Sequence, residues 1–187
     1  MTNLVCLLEE PSAKEMLIAI LPKILPPTVN VRYIVFEGKQ DLEKHLERRI
    51  RGWLIPDTCF LVMRDQDSGD CVKIKNNLLA TILRTEKCQQ TTVRIACHEL
   101  ESFYLGDLQA VEQGLKLKKI STYQQQSKYR TPDSLANPAE ELNKLSGNTY
   151  QKIQGSRAIA PHLKIDGSNT SHSFQVLISG IQKLIIE

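Results

Sequence analysis

TCFLVMRDQDSGD, Thr58 to Asp70, changes character in the middle, and that change decides the fold. TCFLVM is almost wholly apolar or β-branched and reads as a strand. RDQDSGD follows at once and sets Asp65, Asp67 and Asp70 where the strand runs out. A near-continuous apolar strand is buried on both faces, which places it in a parallel sheet covered by helices. In such sheets ligands gather at the carboxyl ends of the strands. The aspartates are therefore either a solvated acidic turn or one wall of a metal site.

Working outward, strands and helices alternate. LVCLLEE (Leu4 to Glu10) reads as a strand, and SAKE opens a helix with a capping box from Ser12 to Glu15. That helix reaches about Leu25, bends at Pro22 and ends at Pro26-Pro27. VNVRYIVF (Val29 to Phe36) is the second strand, and Gln40 to Trp53 is a helix. Val72 to Thr85 is the third helix, with Val72, Leu78, Leu79, Ile82 and Leu83 as its apolar face. TTVRIAC (Thr91 to Cys97) is the fourth strand. The prediction is an α/β fold, a mostly parallel central sheet flanked by helices.

Beyond Cys97 the chain turns mainly helical. HELESFYLGDLQAVEQGL reads as helix broken near Gly106, and the polar stretch 121–134 as a loop or mobile excursion. NPAEELNKLSG is a helix with Asn137 as N-cap, Pro138 at its first position and Gly147 as its stop. HSFQVLISGIQKLII closes the chain as an amphipathic helix, with Phe174, Leu177, Ile178, Ile181 and Leu184 on one side. Residues 1–187 read as one domain, an α/β core over 1–107 and a helical C-terminal extension over 108–187.

Composition excludes several classes. With 41% hydrophobic and 24% charged residues the chain is of globular type, and no apolar run approaches the roughly 20 residues of a membrane span. The start, MTNLVCLLEEPSAKE, lacks the basic opening of a signal peptide, so the expected location is cytoplasmic. The five cysteines are odd in number and none forms a CxxC pair, which argues against a disulfide framework or a zinc site. A net charge of +3 does not by itself mark a nucleic-acid binder.

Acids recur at the carboxyl ends of three strands: Glu9-Glu10, Asp65-x-Asp67, and His98-Glu99-Leu100-Glu101. On one edge of a parallel sheet these carboxylates repel unless a cation neutralises them. Hard divalent ions prefer oxygen ligands, and a pair of them can activate water and stabilise the leaving oxygen in phosphodiester cleavage. Any one cluster taken alone is better explained by solvated strand ends or helix-start acids, and it is three clusters on one edge that point to a site. Asp70 and Asp107 read as helix caps. His98 is a proton shuttle or ligand, or else makes a structural bond at the strand-helix junction. Lys152, Arg157, His162 and Lys164 form a basic segment suited to phosphate contact, or a solvated loop. DQDSGD lacks the ligand positions of a calcium loop, and HELES lacks the second histidine of a zinc protease. A phosphate loop and a nucleophile elbow are missing too. A receiver domain fits poorly, because strand three carries DxD.

The order Glu9, then Asp65-x-Asp67, resembles the Toprim fold of topoisomerases, primases and overcoming-lysogenization-defect nucleases. LLEEPSAKEML, FLVMRDQDSGDC, HELESFYLGD, GSRAIAPHL and HSFQVLISGI more closely resemble the prokaryotic family called domain of unknown function 4276, over nearly the whole chain. That resemblance implies a Toprim-like core with Mg2+ or Mn2+ at Glu9, Asp65 and Asp67. It also implies an AAA-type ATPase partner, in some cases in phage defence. Toprim proteins follow the glutamate with glycine, whereas Glu10-Pro11 stands here. Glu9 fits the register, with Glu10 second. The expected function is a metal-dependent nuclease or phosphotransfer subunit. In it Glu99, with Glu101, positions a second ion or the attacking water, and Lys152, Arg157 and Lys164 grip nucleic acid. The alternative is a non-catalytic adaptor or sensor regulating an ATPase.

Overall fold

The structure is a computed structural model and describes residues 2–186. Strands β1 (Asn3–Leu8), β2 (Asn30–Val35), β3 (Thr58–Asp65) and β4 (Thr91–Ala96) form an all-parallel sheet in the order β2-β1-β3-β4. Side chains alternate across it, as strand geometry demands. Leu4, Cys6, Leu8, Leu61 and Met63 face one helical layer, and Val5, Leu7, Phe60 and Val62 face the other. Helices α2 (Lys39–Arg51) and α3 (Cys71–Leu83) cover the second face through Leu42, Leu46, Ile50, Leu78 and Ile82.

The first face carries α1 (Pro11–Ile20) and almost all of the C-terminal half. There lie α4 (Glu101–Leu105), α5 (Leu108–Gly114), α6 (Ser127–Arg130), α7 (Pro138–Leu145), α8 (Lys152–Ile159) and α9 (His172–Ile186). Tyr104, Val111, Leu142, Ile159 and Phe174 share one core with Met16 and Leu17 of α1. Each such side chain, fully buried, contributes about 1.5–3 kcal/mol relative to exposure. Strand order reverses between β1 and β3, because α1 leaves on one face and α2 returns on the other. The carboxyl ends of β1 and β3 therefore flank the crevice where open α/β sheets bind ligands.

Several local expectations need correction. The capping box does not form: Glu10 is the N-cap of α1, Pro11 is its first residue, and Glu15 pairs with Arg157 instead. Pro22 does end the α-helical geometry, which tightens into a 3-10 turn at Leu21–Lys23. On α3 only Leu78 and Ile82 are buried, while Val72 and Leu83 are each 63% exposed. Among the described residues the second face is covered by α2 and α3 alone, so the outer half of the α3 stripe meets solvent.

Residues 121–134 are not a structureless excursion. They form short helical turns at Ser121–Gln125, Ser127–Arg130 and Pro132–Ser134. Buried Tyr129 donates its hydroxyl to Glu141 at 2.6 Å, and the Asp133 carboxylate accepts from Ser171 Oγ and the Ser173 N–H, both at 2.6 Å. These partners are distant in sequence, so local polarity hid them. The closing helix behaves as expected of its apolar side, packing on β4 and β3 within the chain's own core.

Candidate functional site

The strand-end acids do converge on the carboxyl edge of the sheet, but they divide between its two faces. Asp65 is the last residue of β3 rather than the first of the loop, and it is buried on the face of Leu61 and Met63. Its neighbour Arg64 points the other way, 5% exposed, and gathers three acids. Arg64 pairs with Glu43, lies 3.7 Å from Glu9 Oε2, and lies 3.8 Å from Asp67 Oδ2. Lys39 Nζ holds the same Asp67 oxygen at 2.8 Å. Glu9 Oε2 also accepts the Asp65 backbone N–H at 3.0 Å, which ties β1 to β3. Burial pushes the Glu9 carboxyl upward, against the opposing pull of that N–H and of Arg64. The three acids suggested by the Toprim likeness thus stand on opposite sides of the sheet edge, two of them already beside protein cations.

On the face of Asp65 a second acidic group assembles. Glu10, just past β1, occupies the N-cap position of α1 without a side-chain capping bond, and its Oε2 accepts from Ser12 Oγ at 3.1 Å. Glu101, at the start of α4, is fully buried. Tyr150 donates its hydroxyl to Glu101 Oε1 at 2.9 Å, and Glu101 Oε2 has no hydrogen-bond partner among the described residues. Burial raises the carboxyl pKa of Asp65 well above the usual range, and the nearby charges of Glu10 and Glu101 add to the rise. Burial likewise raises Glu101, with Lys152 and the Tyr150 bond pulling the other way.

Lys152 answers these acids. It is the first residue of α8, and Nζ lies 3.4 Å from Glu10 Oε2. Partial burial disfavours its charge, but Glu101, Glu10, Asp65 and Glu99 outweigh that and raise the ammonium pKa above its ordinary value. The Tyr150 ring packs on Gly155, where a Cβ would come within 2.1 Å of it. Tyr104 donates to Ser156 at 2.7 Å beneath. The helix that delivers Lys152 is thereby fixed against the helix that delivers Glu101.

The other expected residues have structural partners. Glu99 Oε2 accepts the Ala139 N–H at 2.8 Å and so caps α7, a task the Asn137 side chain does not perform. His98 has φ +57° and places Nδ1 3.1 Å from the Asp67 carbonyl oxygen, while its own carbonyl accepts the Asp67 N–H at 2.7 Å. This pins the loop after β3 to the loop after β4. Asp70 caps α3 and Asp107 caps α5, as their positions suggested. Arg157 makes a bidentate pair with Glu15, and Lys164 Nζ bonds Gln109 at 2.6 Å. Of the basic segment, Lys152 alone is bound into the acidic cluster. Among the described residues, no three His, Cys, Asp or Glu side chains come close enough together to hold a metal ion by themselves. None of the described helices is long and apolar enough to cross a membrane.

The fold and edge site define an α/β protein with a parallel sheet and buried carboxylates at its topological switch point. The chain belongs to the family described as Domain of unknown function (DUF4276), whose model matches residues 8–182. No curated protein and no solved structure matches it.

Proposed function

We propose that the protein is a Mg2+- or Mn2+-dependent nuclease or phosphotransfer subunit that works on nucleic acid from the crevice between β1 and β3. The observation that carries this reading is the buried, unpartnered Oε2 of Glu101 on the side of the buried Asp65. A buried carboxylate oxygen without a donor is costly, and a cation satisfies it. Mg2+ commonly takes only one or two protein carboxylates, with water and substrate phosphate completing its shell. Asp65 and Glu101, with Glu10 at the rim, suit such a partial set. The ion would supply charge neutralisation and a more acidic water. The chain's own groups do the rest: Tyr150 orients Glu101, Lys152 faces the phosphate, and Glu99 and His98 hold the surrounding loops. A Toprim-like core and an AAA-type ATPase partner in phage defence belong to this proposal through family resemblance.

A non-catalytic adaptor is the second reading. It is favoured by Glu9 and Asp67, which Arg64 and Lys39 approach as internal counter-ions. Single- and double-stranded DNA and RNA incubated with Mg2+ or Mn2+ separate the two. The nuclease reading expects cleavage that Asp65→Asn abolishes in a folded protein. Cleavage indifferent to Asp65→Asn, or none with any of these substrates, favours the adaptor.

A further inference from the structure

Lys152 occupies an unfavourable place by local rules. It is the first residue of α8, an eight-residue helix, where the helix dipole repels a cation. No acidic residue stands in the first turn of that helix to offset it. Its compensation comes from far along the chain, from Glu10 at 3.4 Å, 142 residues away, and from the charges of Glu101, Asp65 and Glu99. Its side chain is still 40% exposed, so the ammonium sits at the mouth of the cluster. Glu101 Oε2, deeper in, remains without a donor. Lysine has a flexible four-carbon stem and a mobile point charge, unlike the planar fork of arginine, so it can leave without unmaking a bidentate pair.

We propose that Lys152 is the resident counter-ion of the acidic crevice and is displaced when a divalent cation enters. This inference rests on the metal-binding reading of the same site. In the metal-free protein the ammonium screens Glu10, Glu101 and Asp65 from one another. Once the carboxylates are neutralised, the ammonium turns outward and becomes available to a substrate phosphate. Lys152 and the metal are then competitors for the same negative charge. At an effective dielectric near 20, a unit charge about 4 Å away shifts affinity by up to roughly a thousandfold, and solvent screening of the 40% exposed Lys152 side chain reduces this, so its removal corresponds to a gain in metal affinity of at least about tenfold.

The test is calorimetric titration of Mn2+ alone into wild type, Lys152→Met and Lys152→Arg. The expected result is binding at least about tenfold tighter in Lys152→Met and close to wild type in Lys152→Arg. Equal affinity in wild type and Lys152→Met overturns the counter-ion role while leaving the metal site intact. Binding in none of the three overturns both the counter-ion role and the metal-binding reading. If Lys152→Met fails to fold without metal, melting curves with and without Mn2+ decide the matter. Recovery of a folded transition with Mn2+ supports the exchange, and failure to recover overturns it.

Discussion

Tyr150 donates its hydroxyl to Glu101 Oε1 at 2.9 Å, and the other oxygen of this fully buried carboxylate has no hydrogen-bond partner among the described residues. The two residues are 49 apart in sequence. Removing the donor takes away the side-chain hydrogen bond of this buried carboxylate. Tyr150→Phe is therefore expected to lower stability by about 1–3 kcal/mol in urea unfolding. It should also raise the Glu101 carboxyl further, since the Tyr150 bond now pulls it down. An unchanged urea midpoint contradicts the assigned contact.

Asp65 makes stability depend on pH in an unusual direction. Its folded carboxyl is raised well above an unfolded aspartate near about 3.9. Between the two values the folded state binds the proton and the unfolded state does not, so stability falls as pH rises through that window. Asp65→Asn cannot ionise. Its stability minus that of wild type, measured in chelator, should grow from about pH 4 upward and level off above the folded pKa. A difference that is flat or shrinks with pH contradicts the burial of an ionising Asp65.

Arg64 is expected to be structural rather than catalytic. It is 5% exposed and bonds the Asp65 carbonyl at 2.9 Å, with Glu9 and Glu43 beside it. Arg64→Leu strands Glu9 as a buried charge and should cost about 3–5 kcal/mol. The same measurement on Arg157→Ala, an exposed pair with Glu15, should show little or no loss. Similar losses for the two would contradict the division of the edge into a buried and an exposed set.

Gly155 offers a test of sign. Within a helix, Gly→Ala ordinarily stabilises by about 1 kcal/mol. Here the new methyl would meet the Tyr150 ring at 2.1 Å, so the ring must move and Glu101 loses its donor. Gly155→Ala should destabilise, and combined with Tyr150→Ala the losses should be less than additive. A stabilised Gly155→Ala contradicts the packing.

The sheet was legible because each strand carries its own periodicity and apolar run, as TCFLVM does. The carboxyl-edge clustering of Glu9-Glu10, Asp65-Asp67 and Glu99-Glu101 followed from parallel topology alone. Which acid faces which side did not follow, since a shift of one residue reverses the face. Thus Glu10, rather than Glu9, joins Asp65 and Glu101. Tyr150 and Ser156 gave no local signal, because their partners Glu101 and Tyr104 are 49 and 52 residues away. Lys152 stood out only as part of a basic segment, and its acidic partners became visible only through the packing of α8 on α1. The short helical turns of 121–134 are hidden from the sequence for the same reason. Its polar side chains are used inward, against Glu141 and the start of α9.

The most direct test of the central claim is Mn2+ calorimetry on wild type, the Asp65→Asn/Glu101→Gln double variant and Asp67→Asn. The account predicts binding in wild type, binding retained in Asp67→Asn, and binding lost in the folded double variant. Loss in Asp67→Asn with retention in the double variant would place the ion on the Arg64 side of the sheet and contradict the account.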